Sequence, residues 1–224
     1  MINYKIHELI PNVFALEIPD GYNRGMLFLR SQEFYESPFD EFRGKHFDVF
    51  HYMDHYRKWK GVDYFSYPDD WAGYNIPGEI IENAIKPILD ANNGIFPTPY
   101  DFIMLNIIKS IRSKIKEDSK WYLIGVGSLN GRTVKHEIAH ALFYISKEYK
   151  EKMCELVLSL PRGIFEKMEE NLKYLGYTDA VIVDEIQAYM STGLTYDMEK
   201  IRGIKKLAKA FDKEYKKFSQ IVSI

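Results

Sequence analysis

Helical periodicity dominates the sequence after residue 76. Between residues 98 and 116, large apolar side chains recur at spacings of three and four positions, namely Phe102, Leu105, Ile108, Ile111 and Ile115. One face of an α-helix has this periodicity, so the segment is predicted to be an amphipathic helix. Start and stop signals predict further helices from Pro77 to Asn92, on both sides of Pro161, and from Asp197 to Phe218. Residues 77–224 are therefore predicted to be mainly helical.

Residues 1–76 differ in composition, because they are rich in aromatic residues, glycine and acids. Residues 12–18 (NVFALEI) and 25–35 (GMLFLRSQEFY) are apolar or alternating runs between Gly and Pro residues, which predicts short strands. The apolar, β-branched run at 121–129 (WYLIGVGSL), before the turn signal Asn130-Gly131, predicts another strand. The expected class is α+β, with a β-containing region at 1–76 and a helical region at 77–224, arranged as two domains or as one continuous domain.

The overall composition excludes several classes of protein. In 224 residues, 46% hydrophobic and 28% charged residues are near globular averages, which argues against a disordered, collagen-like or coiled-coil chain. The net charge of -2 argues against general nucleic-acid binding. No apolar run approaches the roughly 18 residues of a membrane helix, so no membrane association is expected. A single cysteine, Cys154, and a start without signal-peptide features predict a cytoplasmic protein. The oligomeric state is not predicted.

The most informative segment is residues 133–142 (TVKHEIAHAL), which contains an HExxH motif on a helix that Thr133 is expected to cap. His136 and His140 are one helical turn apart on the same face, so both imidazoles can bind one Zn²⁺ at about 2.0–2.1 Å. Glu137 lies beside this pair, where it can accept a proton from a water bound to the ion. The motif therefore predicts one zinc ion per chain with a general base next to it.

Two histidine ligands leave a third protein ligand to be found. The metzincin pattern is absent, because Phe143 and Ser146 stand where that pattern has Gly and His. A carboxylate on another helix is the natural alternative, and Glu185 lies on a largely apolar helix face where its charge needs a partner. Asp184 could be the ligand instead, or could orient a ligand imidazole through its outer nitrogen. A buried ion pair without metal is the other explanation for Glu185.

The segments HEIAHALFY and VDEIQAY together resemble the gluzincin family of zinc metallopeptidases, over about residues 121–192. The resemblance implies that His136 and His140 bind zinc, that Glu137 is the general base and that Glu185 is the third ligand. It further implies that residues 121–129 form an edge strand that pairs with an extended peptide substrate.

In one respect the sequence departs from that family. Many gluzincins carry an Asp four residues after the ligand Glu, where it supports the first His, but this chain has Tyr189 there. The contacts that orient the imidazoles are therefore expected to differ. The residue that stabilises the oxyanion is not assigned by the resemblance, and Tyr189 and Tyr144 are the nearest candidates in sequence.

A second group of histidines, His46, His51 and His55, lies in GKHFDVFHYMDHYRKWK. His51 and His55 are four residues apart and could share a metal ion on a helix. However, Tyr52 stands where the first motif has its Glu, so no hydrolytic base accompanies this pair. Ordinary surface histidines, or a histidine lining a substrate cleft, are the alternative interpretations.

The function predicted from these features is hydrolysis of peptide bonds in a peptide or protein substrate by a zinc metallopeptidase. Endo- and exopeptidase activity are both compatible with the motif. One alternative is a metal-containing binding or regulatory protein of the same fold that does not turn over substrate. A third hypothesis is a metal-dependent hydrolase that acts on a non-peptide amide or ester.

Overall fold

The computed structural model describes residues 2–71, 73–89, 94–130 and 132–219, which fall into two units, Met1–Leu129 and Asn130–Ile224. This division differs from the predicted boundary after residue 76. The reason is that the strand at Tyr122–Val126 pairs with strands of the N-terminal region and so belongs to the first unit.

The first unit consists of a four-stranded sheet with helices. Its strands are β1 (Lys5–Ile10), β2 (Val13–Glu17), β3 (Gly73–Pro77) and β4 (Tyr122–Val126). Its helices are α1 (Gly21–Glu36), α2 (Val49–Lys60), α3 (Tyr67–Asp70), α4 (Gly78–Ile85), which continues as a 3-10 segment (Lys86–Leu89), and α5 (Pro99–Arg112). The strand predicted at 12–18 and the helix predicted from residue 98 are thus confirmed.

The prediction that residues 121–129 form an edge strand was wrong. The strand order is β1-β2-β4-β3, so β4 pairs in parallel with β2 and antiparallel with β3. All five residues of β4 are buried. A continuous apolar run is typical of an interior strand covered on both faces, and both sides of β4 are already hydrogen-bonded.

The prediction of a strand at 25–35 was also wrong, because this segment belongs to helix α1. Asp20 caps the helix by accepting a hydrogen bond from the backbone N–H of Asn23 at 2.7 Å. The helix packs against α3, α4, α5, β3 and β4, and residues 24–31 are all buried. A helix buried around its circumference has no polar face, and its apolar run cannot be told from a strand by periodicity. Gly125 of β4 permits this approach, since a Cβ there would lie 2.5 Å from the ring of Phe28.

The second unit is helical throughout the residues that are described. Its helices are α6 (Arg132–Ile145), α7 (Lys147–Leu158), α8 (Arg162–Tyr174), α9 (Ile182–Thr192), α10 (Tyr196–Glu199) and α11 (Ile204–Phe218). Helix α9 contacts α6, α7, α8 and α11, so it occupies the centre of this unit. The chain is therefore mixed α and β and mainly helical, as predicted.

Several helix ends differ from the predictions. Helix α6 already includes Arg132, one residue before the predicted cap at Thr133. Asp179 does not cap α9, because its carboxylate pairs with Lys173 at 2.8 Å. The helix predicted at 197–218 is interrupted before Gly203, which has a φ of 90°. The turn glycine 131 and the predicted helix end at residue 92 lie outside the described residues. In the part of the chain that is described, no helix has the length and apolarity needed to cross a membrane.

Candidate metal centre

Helix α6 brings the two histidines of the HExxH motif together. The Nε2 atoms of His136 and His140 are 3.2 Å apart, and their ring planes are nearly perpendicular. His140 is buried with 5% exposure, whereas His136 is partly open to solvent. Two ring nitrogens at this distance repel each other as lone pairs unless a proton or a cation lies between them.

Helix α9 supplies a carboxylate to the same point. The two oxygens of Glu185 lie 3.6 Å from His136 Nε2 and 3.6 Å from His140 Nε2, and the three groups have donor atoms within 4.8 Å of one another. Ligands placed tetrahedrally at about 2.0–2.1 Å from one Zn²⁺ would be about 3.3 Å apart. The observed separations are close to that value.

The charge balance of this site also favours a cation. Glu185 is 8% exposed, and its Oε2 atom is buried without a hydrogen-bond partner among the described residues. Burial by itself would lower the pKa of His140, but the negative charges of Asp184, Glu185 and Glu137 outweigh burial and raise this pKa to about 10. Without an ion, the site therefore retains a proton on His140 to compensate its carboxylates. A divalent cation could take over that role.

Asp184 occupies the outer side of His140. Its Oδ1 lies 3.0 Å from His140 Nδ1, whereas Nε2 of the same ring faces Glu185. Of the two roles that the sequence left open for Asp184, the geometry favours orientation of an imidazole over direct ligation. Gln187, fully buried, donates from Nε2 to Asp184 Oδ1 at 2.9 Å and accepts a hydrogen bond from the Tyr149 hydroxyl at 2.9 Å. Helix α7 thus supports the orientation of His140 through Gln187 and Asp184.

A threonine contacts the outer nitrogen of His136. The Oγ1 of Thr192 lies 3.4 Å from His136 Nδ1 and donates its own proton to the carbonyl of Ala188 at 2.7 Å. The hydroxyl oxygen can therefore accept a hydrogen bond from Nδ1, which leaves Nε2 as a free lone pair. The ring of Tyr189 packs 4.6 Å from the ring of His136. These contacts stand where the family resemblance would have placed an Asp.

Tyr177 is a site residue that the sequence reasoning missed. It follows Gly176, whose φ of 98° ends helix α8 in a Schellman motif, with hydrogen bonds from Tyr177 N to Leu172 O and from Gly176 N to Lys173 O. The Tyr177 hydroxyl lies 3.5 Å from the Tyr189 hydroxyl. Burial chiefly raises the pKa of Tyr177, and the charges of Glu185 and Glu137 add to it, so both carboxylates lie near this phenol. The predicted glycine cap was a signal for its backbone position, but not for the direction of its side chain.

The remaining predicted residues lie as follows. Glu137 is buried on α6 beside the histidines, and Tyr144 lies one turn beyond His140 on the same helix. The second histidine group belongs to the first unit: His46 stacks on Phe34, and both His51 and His55 on α2 face Glu41.

Comparison with known proteins identifies no relative. No family model, no curated protein and no solved structure matches this chain. The chemistry of the centre is therefore argued from its own residues.

Proposed function

We propose that this protein is a zinc-dependent peptidase whose metal ion is held by His136, His140 and Glu185. The observation that carries the proposal is the convergence of two Nε2 atoms and one carboxylate at 3.2 to 3.6 Å, directly beside the buried Glu137. Three protein ligands leave a fourth position open, which is typical of catalytic rather than structural zinc sites.

The donor set fits zinc in type as well as in spacing. Imidazole nitrogens and a carboxylate are common zinc ligands, and each imidazole has its outer nitrogen occupied, by Asp184 for His140 and by Thr192 for His136. When bound, Zn²⁺ lowers the pKa of a water ligand to about 7 and polarises the carbonyl group that is attacked.

The protein's own groups would then move the protons and stabilise the developing charge. Glu137 accepts the proton of the attacking water and delivers it to the departing amine nitrogen, since it is the acid–base group next to the histidines. The hydroxyl of Tyr177 is a neutral donor near Glu137 and Glu185, and it is suited to hydrogen-bond to the carbonyl oxygen as that oxygen becomes negative.

The first experiment measures zinc content and peptide hydrolysis on the same preparations. Wild-type protein is expected to hold one zinc at this centre and to cleave members of a mixed peptide library, with activity lost on chelation and restored by zinc. Glu137→Gln is expected to keep the zinc and lose hydrolysis by a factor of at least about 10². Glu170→Gln, an exposed substitution on α8, is the matched control and should match wild type.

The ligands are tested separately. His140→Ala and Glu185→Ala are expected to lose zinc from this centre while the helical circular dichroism persists. A zinc-loaded protein that cleaves no peptide in the library would overturn the peptidase proposal and favour a silent binding protein. Cleavage only of added ester or non-peptide amide substrates would instead favour the third hypothesis. Equal hydrolysis by Glu137→Gln and wild type would remove Glu137 from the mechanism.

A further inference from the structure

Helix α2 in the first unit carries a second pair of imidazoles that the proposed peptidase centre does not use. The helix starts after Asp48, whose side chain accepts a hydrogen bond from the backbone N–H of His51 at 3.0 Å. His51 therefore lies in the first turn of α2 and His55 one turn later. Residues four positions apart are neighbours on a helix surface, so both rings project on the same side.

A carboxylate from the segment between α1 and α2 lies between the two rings. Glu41 Oε1 is 3.4 Å from His51 Nε2, and Glu41 Oε2 is 3.7 Å from His55 Nδ1. Both separations exceed the 2.7–3.2 Å that is typical of a hydrogen bond between nitrogen and oxygen. They resemble the 3.6 Å that separates Glu185 from each histidine of the first centre. In both places, an imidazole and a carboxylate are spaced as two ligands of one ion would be.

The two imidazoles are held by aromatic neighbours, while the outer side of the group stays open. The ring of His55 packs 4.5 Å from Phe39 and 5.2 Å from Phe42, and the ring of His51 lies 5.6 Å from Phe42. The side chains of Glu41 and His51 are 52% and 57% exposed. These exposed side chains can adjust to close around an ion that arrives from solvent.

We infer that Glu41, His51 and His55 form a second site for a divalent transition metal, with Zn²⁺ as the test ion. Two imidazoles and one carboxylate suit zinc, copper or nickel rather than magnesium or calcium. Tyr52 stands next to His51 where the first motif has Glu137, and it is fully buried in the core of the first unit. The site therefore lacks a neighbouring base, and a bound ion would tie Glu41 to α2 without hydrolysing a substrate.

Zinc binding to the full chain tests this inference by equilibrium dialysis, with the bound metal counted by elemental mass spectrometry. Wild type is expected to bind two zinc ions, one tightly and one at least tenfold more weakly because the second site is exposed. His51→Ala and His55→Ala should each lose the weaker ion. His46→Ala is the matched control, since this exposed histidine stacks on Phe34 and should leave both ions in place.

The inference does not depend on the proposed peptidase centre, and the experiment separates the two. In His140→Ala, one zinc should remain, and adding His51→Ala should remove it. Glu41→Gln, an exposed substitution that is easily tolerated, should weaken the second zinc at least tenfold. The inference is overturned if saturated wild type holds no ion that depends on His51, or if the second ion persists when both His51 and His55 are replaced. In that case, the contacts of Glu41 are ion pairs only.

Discussion

Asp184 Oδ1 lies 3.0 Å from His140 Nδ1, on the side of the imidazole ring away from the nitrogen that faces Glu185. A carboxylate at Nδ1 makes that nitrogen the proton donor and leaves Nε2 with its lone pair. Gln187 holds the carboxylate in this position by donating to the same oxygen and, at 3.3 Å, to the carbonyl of Ala139 on α6. One buried amide thus links the carboxylate of α9 to the helix that carries both histidines.

This arrangement predicts that zinc affinity depends on Asp184. Asp184→Asn is expected to weaken zinc binding by about 10- to 100-fold, the range found when such outer partners of ligand imidazoles are removed. Gln187→Leu should act in the same direction with a smaller effect. Competition with a chelating dye measures both affinities. Asp179→Asn is the control, because Asp179 is exposed and pairs with Lys173. Unchanged affinity in Asp184→Asn would show that the contact does not serve the metal.

A second prediction concerns the phenol of Tyr177. If its hydroxyl stabilises the transition state, Tyr177→Phe should lower kcat by about 10²-fold or more, with little change in KM or zinc content. Tyr174→Phe, three residues earlier and 92% exposed, provides the control. Steady-state kinetics on one cleaved peptide would separate the two parameters. A loss of zinc or of thermal stability with unchanged kcat would instead assign Tyr177 a packing role.

A third prediction follows from His140 in the metal-free protein. Its pKa is raised from 6.5 to about 10, so the protonated form stabilises the fold fully below about pH 6.5. That contribution is lost as the pH rises toward 10. In the presence of a chelator, the free energy of unfolding should therefore fall between these pH values. Urea titrations at a series of pH values measure this fall.

Zinc-loaded protein is the comparison for that experiment. Ligand imidazoles must be deprotonated, so binding releases the His140 proton, and apparent zinc affinity should rise with pH over the same interval. The loaded protein should accordingly lack the fall in stability. A metal-free protein whose stability is constant or increases from pH 6.5 to 10 would contradict the assigned role of the His140 charge.

A fourth prediction concerns Glu33 in the first unit, which is 3% exposed on α1. Burial raises the pKa of this carboxyl above its usual 4.5. Ionisation therefore opposes folding, and stability should decrease as the pH rises from 4.5 through the raised pKa. Glu33→Gln should increase the free energy of unfolding near pH 8 by the order of 1 kcal/mol. Thermal melts at pH 4.5 and pH 8 should show the gain only at the higher pH, and the exposed Glu36→Gln should show none. A destabilised Glu33→Gln at pH 8 would refute this assignment.

The convergence of His136, His140 and Glu185 was predictable from the sequence. The helix repeat places residues 136 and 140 on one face, and a carboxylate on an apolar helix face requires a partner. By contrast, the helical periodicity carried no information on which way Asp184 would point, because this depends on the rotation of α9 against α6. The geometry also relates Thr192 and Tyr177 to the centre only through tertiary packing.

In the first unit, the failed predictions share one physical cause. Helix α1 and strand β4 are both buried on nearly every side, so neither shows the polar and apolar alternation that distinguishes the two structures. The pairing of β4 between β2 and β3 depends on residues more than 40 positions away in sequence, which no local pattern contains.

The two helices that carry the candidate ligands are far apart along the chain, since His140 and Glu185 are separated by 45 positions. An ion bound to both would act as a removable cross-link that closes this long loop. Binding to the folded chain alone adds about 4 kcal/mol of stability when the free ion is at 1,000 times its dissociation constant. The amount of intact protein in a cell would then follow the supply of metal, because the uncross-linked chain opens more often and is more exposed to proteases.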